Sequence, residues 1–152
     1  MDEQFVLKAA LAESQRNELV ELGCVNFGRF ILEFRQFDWV GEVTREYWRG
    51  LSTPALGVMN LHDQSTFWVA AYDWLRLLNP SGGPSHMPAL SYYVGLNDGP
   101  CPPDIYCRKE DRDMVNCEFG ADSPDVVESL FSLYFRERYS DLYKQLFELP
   151  IQ

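Results

Sequence analysis

The sequence predicts one α+β domain over residues 1–152, in which a helical N-terminal half packs on a small antiparallel sheet and a C-terminal helix follows. The length suits a single domain. The shares of hydrophobic and charged residues, 46% and 24%, are those of an ordinary globular protein. Apolar residues recur at helical spacing in the first half, whereas the second half contains alternating apolar and polar positions that indicate strands.

Three segments predict the helical half. Residues 4–22 are rich in alanine and leucine and precede Gly23, a frequent helix stop. Residues 25–37 carry a phenylalanine stripe at a spacing of about 3.6 residues, although so many rings also suit a strand. Asp38 can cap a further helix, because an aspartate side chain accepts a hydrogen bond from a free backbone N–H at a helix start.

The clearest predicted helix of the first half covers residues 63–79. Its apolar residues recur on one face, and Asp63 or Ser65 can cap its first turn. The segments ALGVMNL and ALSYYVGL, which precede and follow it, are predicted to be strands.

The stretch IYCRKEDRDMVNCEF, residues 105–119, predicts a β-hairpin with a charged tip. Apolar and polar residues alternate on both sides of the Glu110–Met114 loop, which sets Cys107 opposite Cys117. Two small buried thiols or a disulfide both fit this register, whereas zinc usually requires closely spaced ligand pairs that this sequence lacks. Ser123-Pro124 then provides the cap and first position of the C-terminal helix.

The charge of the chain indicates a class of partner. The formal net charge is −10, from 23 acidic and 13 basic residues, and residues 98–128 contain nine acids against three basic residues. Such a field attracts basic proteins and repels phosphate backbones. We therefore expect a basic protein partner and no direct binding of nucleic acid. The alternative is that the acidity only aids solubility.

The sequence also predicts a location. Its first residues, MDEQFVLKAALAES, lack the basic segment and apolar core of a signal peptide, and no apolar run is long enough to cross a membrane. We expect a cytoplasmic protein without membrane contact, whose four cysteines are reduced.

A set of interface residues is predicted from side-chain type and spacing. Trp68, Tyr72 and Arg76 recur every fourth residue on the predicted helix, beside its main apolar stripe. These three residue types carry much of the binding energy in protein interfaces. The alternative is that this helix is buried on two sides. The acids of the predicted partner-binding set are Asp98, Asp104, Glu110, Asp111, Asp113 and Glu118.

Part of the sequence resembles a known family. The segment DIYCRKEDRDMVNCEF followed by SPDVVESLFSLYF is similar to the end of the SUKH superfamily of bacterial toxin-immunity proteins, where strand, turn and strand precede an apolar helix. The resemblance covers residues 104–135 and implies an α+β fold and neutralisation of a toxin by direct binding. The L-P-x-x-Y-type entry of that family is not visible here, and no functional residue is carried over.

We therefore expect an acidic protein-binding inhibitor, most specifically an immunity protein, without cofactor or metal. The alternative is a phage or viral acidic adaptor or nucleic-acid mimic that binds a DNA- or RNA-processing protein. No phosphate-binding, nucleophile-elbow or metalloprotease motif occurs in the sequence, so enzymatic activity is not expected. A small enzyme that uses His62 or His86 with nearby carboxylates is the third hypothesis.

The hairpin register predicts that mild oxidation links Cys107 to Cys117 within one molecule, because directly opposed residues bring their Cβ atoms within about 5 Å. Mass mapping of the oxidised monomer should recover both cysteines in one crosslinked peptide, and Cys107→Ser should abolish it. Recovery of the two cysteines only in separate peptides would exclude this register.

Overall fold

The computed structural model describes residues 3–11, 19–49, 53–73, 89–100, 119–121 and 123–150. Within these residues the chain forms six β-strands and four α-helices. In chain order they are β1 (Phe5–Ala10), β2 (Val20–Cys24), α1 (Phe27–Gln36), α2 (Trp39–Arg49), β3 (Ala55–Asn60), β4 (Ser65–Asp73), β5 (Leu90–Asn97), β6 (Phe119–Ala121), α3 (Pro124–Phe135) and α4 (Tyr139–Phe147).

The six strands form one sheet in the order β2-β1-β3-β4-β5-β6, and every neighbouring pair is antiparallel. The longest strand, β4, has 9 residues and pairs with β3 on one side and β5 on the other. The fold is mixed α+β, and the strands predicted in ALGVMNL and ALSYYVGL are confirmed as β3 and β5.

The predicted helical N-terminal half is wrong. Residues 4–22 contain β1 and the start of β2, and residues 63–73 form the end of a turn and β4. Strand β4 is buried between two neighbours and has apolar residues on both faces, so its sequence fits a helix as well as a central strand. Pairing with distant segments decides the outcome, and residues 74–79 of this predicted helix lie outside the described residues.

Gly23 also has a different role from the predicted helix stop. It lies in β2 with a φ of +106°, which glycine adopts without the strain that a Cβ would cause. The pairing of β2 with β1 shifts register next to this residue, between Leu7 and Lys8 of β1. The glycine therefore permits an irregular outer strand and does not end a helix.

The helices that depend on local capping are confirmed. Asn26, Asp38 and Ser123 precede α1, α2 and α3, and each side chain accepts a hydrogen bond from the backbone N–H three residues later, at 2.8, 3.0 and 3.4 Å. Helix α3 ends at Phe135, and α4 begins at Tyr139. None of the described helices is long and apolar enough to cross a membrane.

All four helices pack on the same face of the sheet. This face carries every second residue of the strands, and each helix contributes an aromatic ring that contacts it. The ring contacts, with centroid distances, are Phe34 of α1 and Trp39 of α2 with Tyr92 at 5.7 Å each, Phe131 of α3 with Phe67 at 4.5 Å, and Phe147 of α4 with Phe119 at 6.5 Å.

The centre of this core is a group of three phenylalanine rings. Phe131 of α3 stacks on Phe30 of α1 with centroids 4.1 Å apart, and it also contacts Phe67 of β4. All three side chains are fully buried. Aromatic pairs at such distances contribute about 0.5–1.5 kcal/mol each beyond the burial of their area. The group therefore holds the helical layer to the sheet.

The two edges of the sheet differ. At β6, the backbone N–H of Gly120 donates a hydrogen bond of 2.7 Å to the carbonyl oxygen of Pro150, so the segment after α4 covers this edge. At the other edge, all five residues of β2 are exposed. Among the described residues, β2 pairs only with β1.

Phe30→Ala should lower the free energy of unfolding by about 3–5 kcal/mol, because it removes a fully buried ring from the centre of the core. Urea unfolding followed by circular dichroism measures the change. Leu32→Ala is the matched control, since Leu32 lies on the same helix but is 49% exposed and should change stability by less than about 0.5 kcal/mol. Equal losses in the two variants would contradict the described packing of α1.

Candidate functional site

Three aromatic side chains form a patch on the sheet face opposite the helices. Trp68 and Tyr72 of β4 and Tyr93 of β5, here called the aromatic patch, are all partly exposed. The Tyr93 ring lies between the other two, with centroid distances of 5.7 Å to both Trp68 and Tyr72. Their strand neighbours Phe67, Val69 and Ala71 of β4 point to the helical side and are buried, so β4 supplies core on one face and patch on the other.

Gly95 of β5 makes room for the Trp68 side chain. Trp68 is paired with Gly57 of β3 and Gly95 of β5. A Cβ added at Gly95 would lie 2.5 Å from Cε2 and 2.8 Å from Nε1 of Trp68, which is closer than real atoms approach. The indole therefore lies on the backbone of β5, and Gly95 is required at this position.

The remaining sides of the indole also have neighbours. Its Nε1–H donates an exposed hydrogen bond of 3.4 Å to Oδ1 of Asn97, and the Tyr93 ring stands almost perpendicular to it, at 87°. One face of the ring system rests on Gly95. The opposite face is directed away from the sheet.

Trp68 and Tyr72 share a face, as predicted, but the reason for it was wrong. The sequence placed them on a helix, where residues four apart lie on one side. In the structure they lie on a strand, where residues four apart also lie on one side. Arg76, the third member of that predicted row, lies outside the described residues.

Sequence reasoning missed Tyr93 as a member of the patch. ALSYYVGL predicts a strand that contains two tyrosines, and strand alternation places them on opposite faces. Tyr92 points to the helices and contacts Phe34 and Trp39, while Tyr93 points to the patch. Only the β4–β5 register, which pairs Tyr93 with Ala70, shows which tyrosine lies diagonally from Trp68.

Of the predicted acidic site residues, the structure describes Asp98. It is exposed and follows β5 directly, with a left-handed φ of +56°, a conformation that aspartate tolerates better than most residues. It is the chain neighbour of Asn97, which accepts the Trp68 hydrogen bond. The other predicted acids, Asp104, Glu110, Asp111, Asp113 and Glu118, lie outside the described residues, as do Cys107 and Cys117.

A cluster of hydrogen-bonded polar side chains lies under the β3–β4 turn. Asn60 and Ser65, both fully buried, bond to tyrosines from the last two helices. The backbone N–H of Asn60 donates to the Tyr134 hydroxyl at 3.1 Å, and Asn60 Nδ2 donates to the Tyr139 hydroxyl at 3.0 Å. The Tyr134 hydroxyl is also 3.0 Å from the backbone oxygen of Ser65 and can donate to it. The cluster therefore ties the hairpin to α3 and α4.

Asp63 belongs to this cluster and does not cap a helix. Its Oδ1 accepts a hydrogen bond of 2.8 Å from the backbone N–H of Ser65, and its Oδ2 accepts a short hydrogen bond from the hydroxyl of Tyr139. Among the described residues, no buried side-chain nitrogen or oxygen lacks a partner. A fully satisfied cluster stabilises the hairpin and leaves no buried group aimed at a ligand.

His62, one of the two histidines of the enzyme hypothesis, lies at the outer side of this cluster. Its exposed side chain places Nδ1 3.8 Å from Oε1 of Glu137, a distance longer than a hydrogen bond. Oε1 of Glu137 already accepts a hydrogen bond of 2.7 Å from Gln4. In this structure the carboxylate is therefore bonded to Gln4 and does not hold the imidazole by a hydrogen bond. His86 lies outside the described residues.

In the part of the chain that the structure describes, no group of three or more His, Cys, Asp and Glu side chains is arranged to hold a metal ion. Comparison of the chain with protein-family models, with curated proteins and with solved structures gave no match.

The two buried tyrosines predict a loss of stability in alkali. Burial raises the pKa of Tyr134 and Tyr139, and the hydrogen bond to Asp63 raises that of Tyr139 further. Because the folded-state pKa lies above the unfolded value of about 10, the stability from the neutral phenols is complete below pH 10 and lost as the pH rises beyond it. The slope approaches about 1.4 kcal/mol per pH unit for each tyrosine.

Urea unfolding at a series of pH values above 9 tests this. Tyr134→Phe should cost about 1–3 kcal/mol at neutral pH, because the buried N–H of Asn60 loses its partner. It should also make the alkaline decline less steep. Val94→Ala, which shortens a fully buried side chain without removing a titrating group, should lower stability but keep the wild-type slope. Equal slopes in wild type and Tyr134→Phe would contradict this role of Tyr134.

Proposed function

We propose that this protein binds a basic protein partner and inhibits it, with the aromatic patch as the centre of the contact surface. The observation that carries the proposal is the position of Trp68, Tyr72 and Tyr93, all partly exposed, on the sheet face opposite the four described helices. Tryptophan and tyrosine dominate the binding energy of protein interfaces because they bury a large area with few rotatable bonds.

The charge of the chain supports a basic partner. The formal net charge of −10 includes the acid-rich segment 98–128, which begins immediately after β5, the strand that carries Tyr93. Acidic residues near an apolar patch raise the rate at which a basic protein associates, and salt screens this effect. We therefore expect fast, salt-sensitive association.

The more specific form of the proposal is an immunity protein that occludes a bacterial toxin in the cytoplasm. This form comes from the resemblance of residues 104–135 to the SUKH superfamily. If the partner is instead a DNA- or RNA-processing protein of a host cell, the acidic adaptor or nucleic-acid mimic is the better description.

Affinity capture from the native host, at low and then high salt, tests the proposal. The purified wild-type protein should retain a basic protein that salt elutes. Trp68→Leu, with its fold verified by circular dichroism, should lose it, because the substitution removes the largest ring of the patch. Leu32→Ala is the matched control, since it changes an exposed side chain of α1, and the helices pack on the other sheet face. The captured protein is then purified, and its activity is measured with and without this chain.

The acids are tested separately. Reversal of Glu110, Asp111 and Asp113 to lysine should slow association with the captured partner at low salt and leave stability nearly unchanged, because rim charges mainly affect the association rate. An unchanged association rate at low salt would remove the acids from the proposal. Capture that is equal for wild type and Trp68→Leu would remove the aromatic patch.

A further inference from the structure

We propose that the outward face of the Trp68 indole binds an arginine guanidinium of the partner. This inference rests on the proposed function and names the chemical group that the aromatic patch recognises.

The contacts that described residues make with Trp68 lie on the inner face and at the edges of its ring system, so the outer face is the surface considered for a ligand. The inner face lies on Gly95, the Nε1–H is bonded to Asn97, and Tyr93 stands against the ring at 87°. Trp68 is nevertheless partly exposed. The outer face of the Trp68 indole is flat and electron-rich, so a planar group can stack parallel to it.

The charge of the protein selects the class of planar group. A nucleic-acid base would bring its phosphates into the field of a chain with a net charge of −10, which repels them. A guanidinium is planar and always charged, and the face of a tryptophan attracts cations more strongly than that of any other aromatic side chain. The exposed Asp98, next along the chain to Asn97, adds negative charge at the same end of β5.

Lysine satisfies the charge but not the shape. Its ammonium is compact and strongly hydrated, whereas the guanidinium is flat and gives up its water more readily. The inference therefore predicts a preference for arginine over lysine, in addition to a preference for cations over neutral groups.

The test uses short acetylated peptides in which glycine alternates with arginine, lysine or citrulline. Citrulline keeps the planar shape of arginine without its charge. Binding to the purified protein is measured by fluorescence anisotropy of labelled peptides. The site is located by two-dimensional NMR of the indole N–H signals, with the Trp68 signal assigned by its absence in Trp68→Leu.

The expected order of affinity is arginine, then lysine, then citrulline, with a shift of the Trp68 signal. Trp68→Leu should bind the arginine peptide about two- to tenfold more weakly, and Trp68→Phe should lie between it and wild type. Phenylalanine keeps an aromatic face of lower cation affinity, so this second variant shows whether the ring or only its bulk matters.

Three results would overturn the inference. Equal binding of arginine and lysine peptides, unaffected by Trp68→Leu, would mean that long-range charge alone attracts them. Equal binding of arginine and citrulline would mean stacking without charge. A shift of other indole signals only would place the peptide elsewhere.

If Trp68→Leu loses the captured partner but no arginine preference is found, the proposed function stands and this inference fails. Arginine binding at Trp68 without capture of a basic protein would support this inference and contradict the proposed function.

Discussion

The contact of Phe131 with Phe30 and Phe67 is the interaction on which the other parts of this structure depend. Helix α3 contacts α1, α4 and the strands β4, β5 and β6. Its Phe131 ring contacts both α1, through Phe30, and the sheet, through Phe67. Because every described helix is held to one side of the sheet, the apolar residues of the central strands are divided between its two faces. The residues on the helical face are buried in the core, and those on the other face form the opposite surface of the sheet.

That division explains the aromatic patch. A central strand such as β4 needs apolar residues on its helical face for burial, but nothing in the helical layer requires Trp68 or Tyr72 on the other face. Gly57 and Gly95 contribute no side chains beside Trp68, and Leu19 lies over Gly57 while the Tyr93 ring lies next to the indole. The aromatic side chains on this face support the proposed contact surface, and the acidity of the chain supports a basic partner in that proposal.

Sequence reasoning was accurate where structure depends on neighbours along the chain. The side chains of Asp38 and Ser123 accept hydrogen bonds at the starts of α2 and α3, because capping is decided within four residues. It failed for β1, β2 and β4, where pairing between distant segments overrides an apolar spacing that also fits a helix. The same limit applies to the site. Trp68 and Tyr72 could be grouped from spacing alone, whereas Tyr93 joins them only through the strand register.

The way Trp68 is held has a consequence for the thermodynamics of recognition. A tryptophan on an open surface samples several rotamers, and a partner must select one of them at a cost of about 0.5–1.5 kcal/mol. Here Gly95, Tyr93 and Asn97 already restrict the indole to one orientation. In the proposed complex, this side is therefore preorganised, and the ordering entropy lost on association falls mainly on the proposed partner.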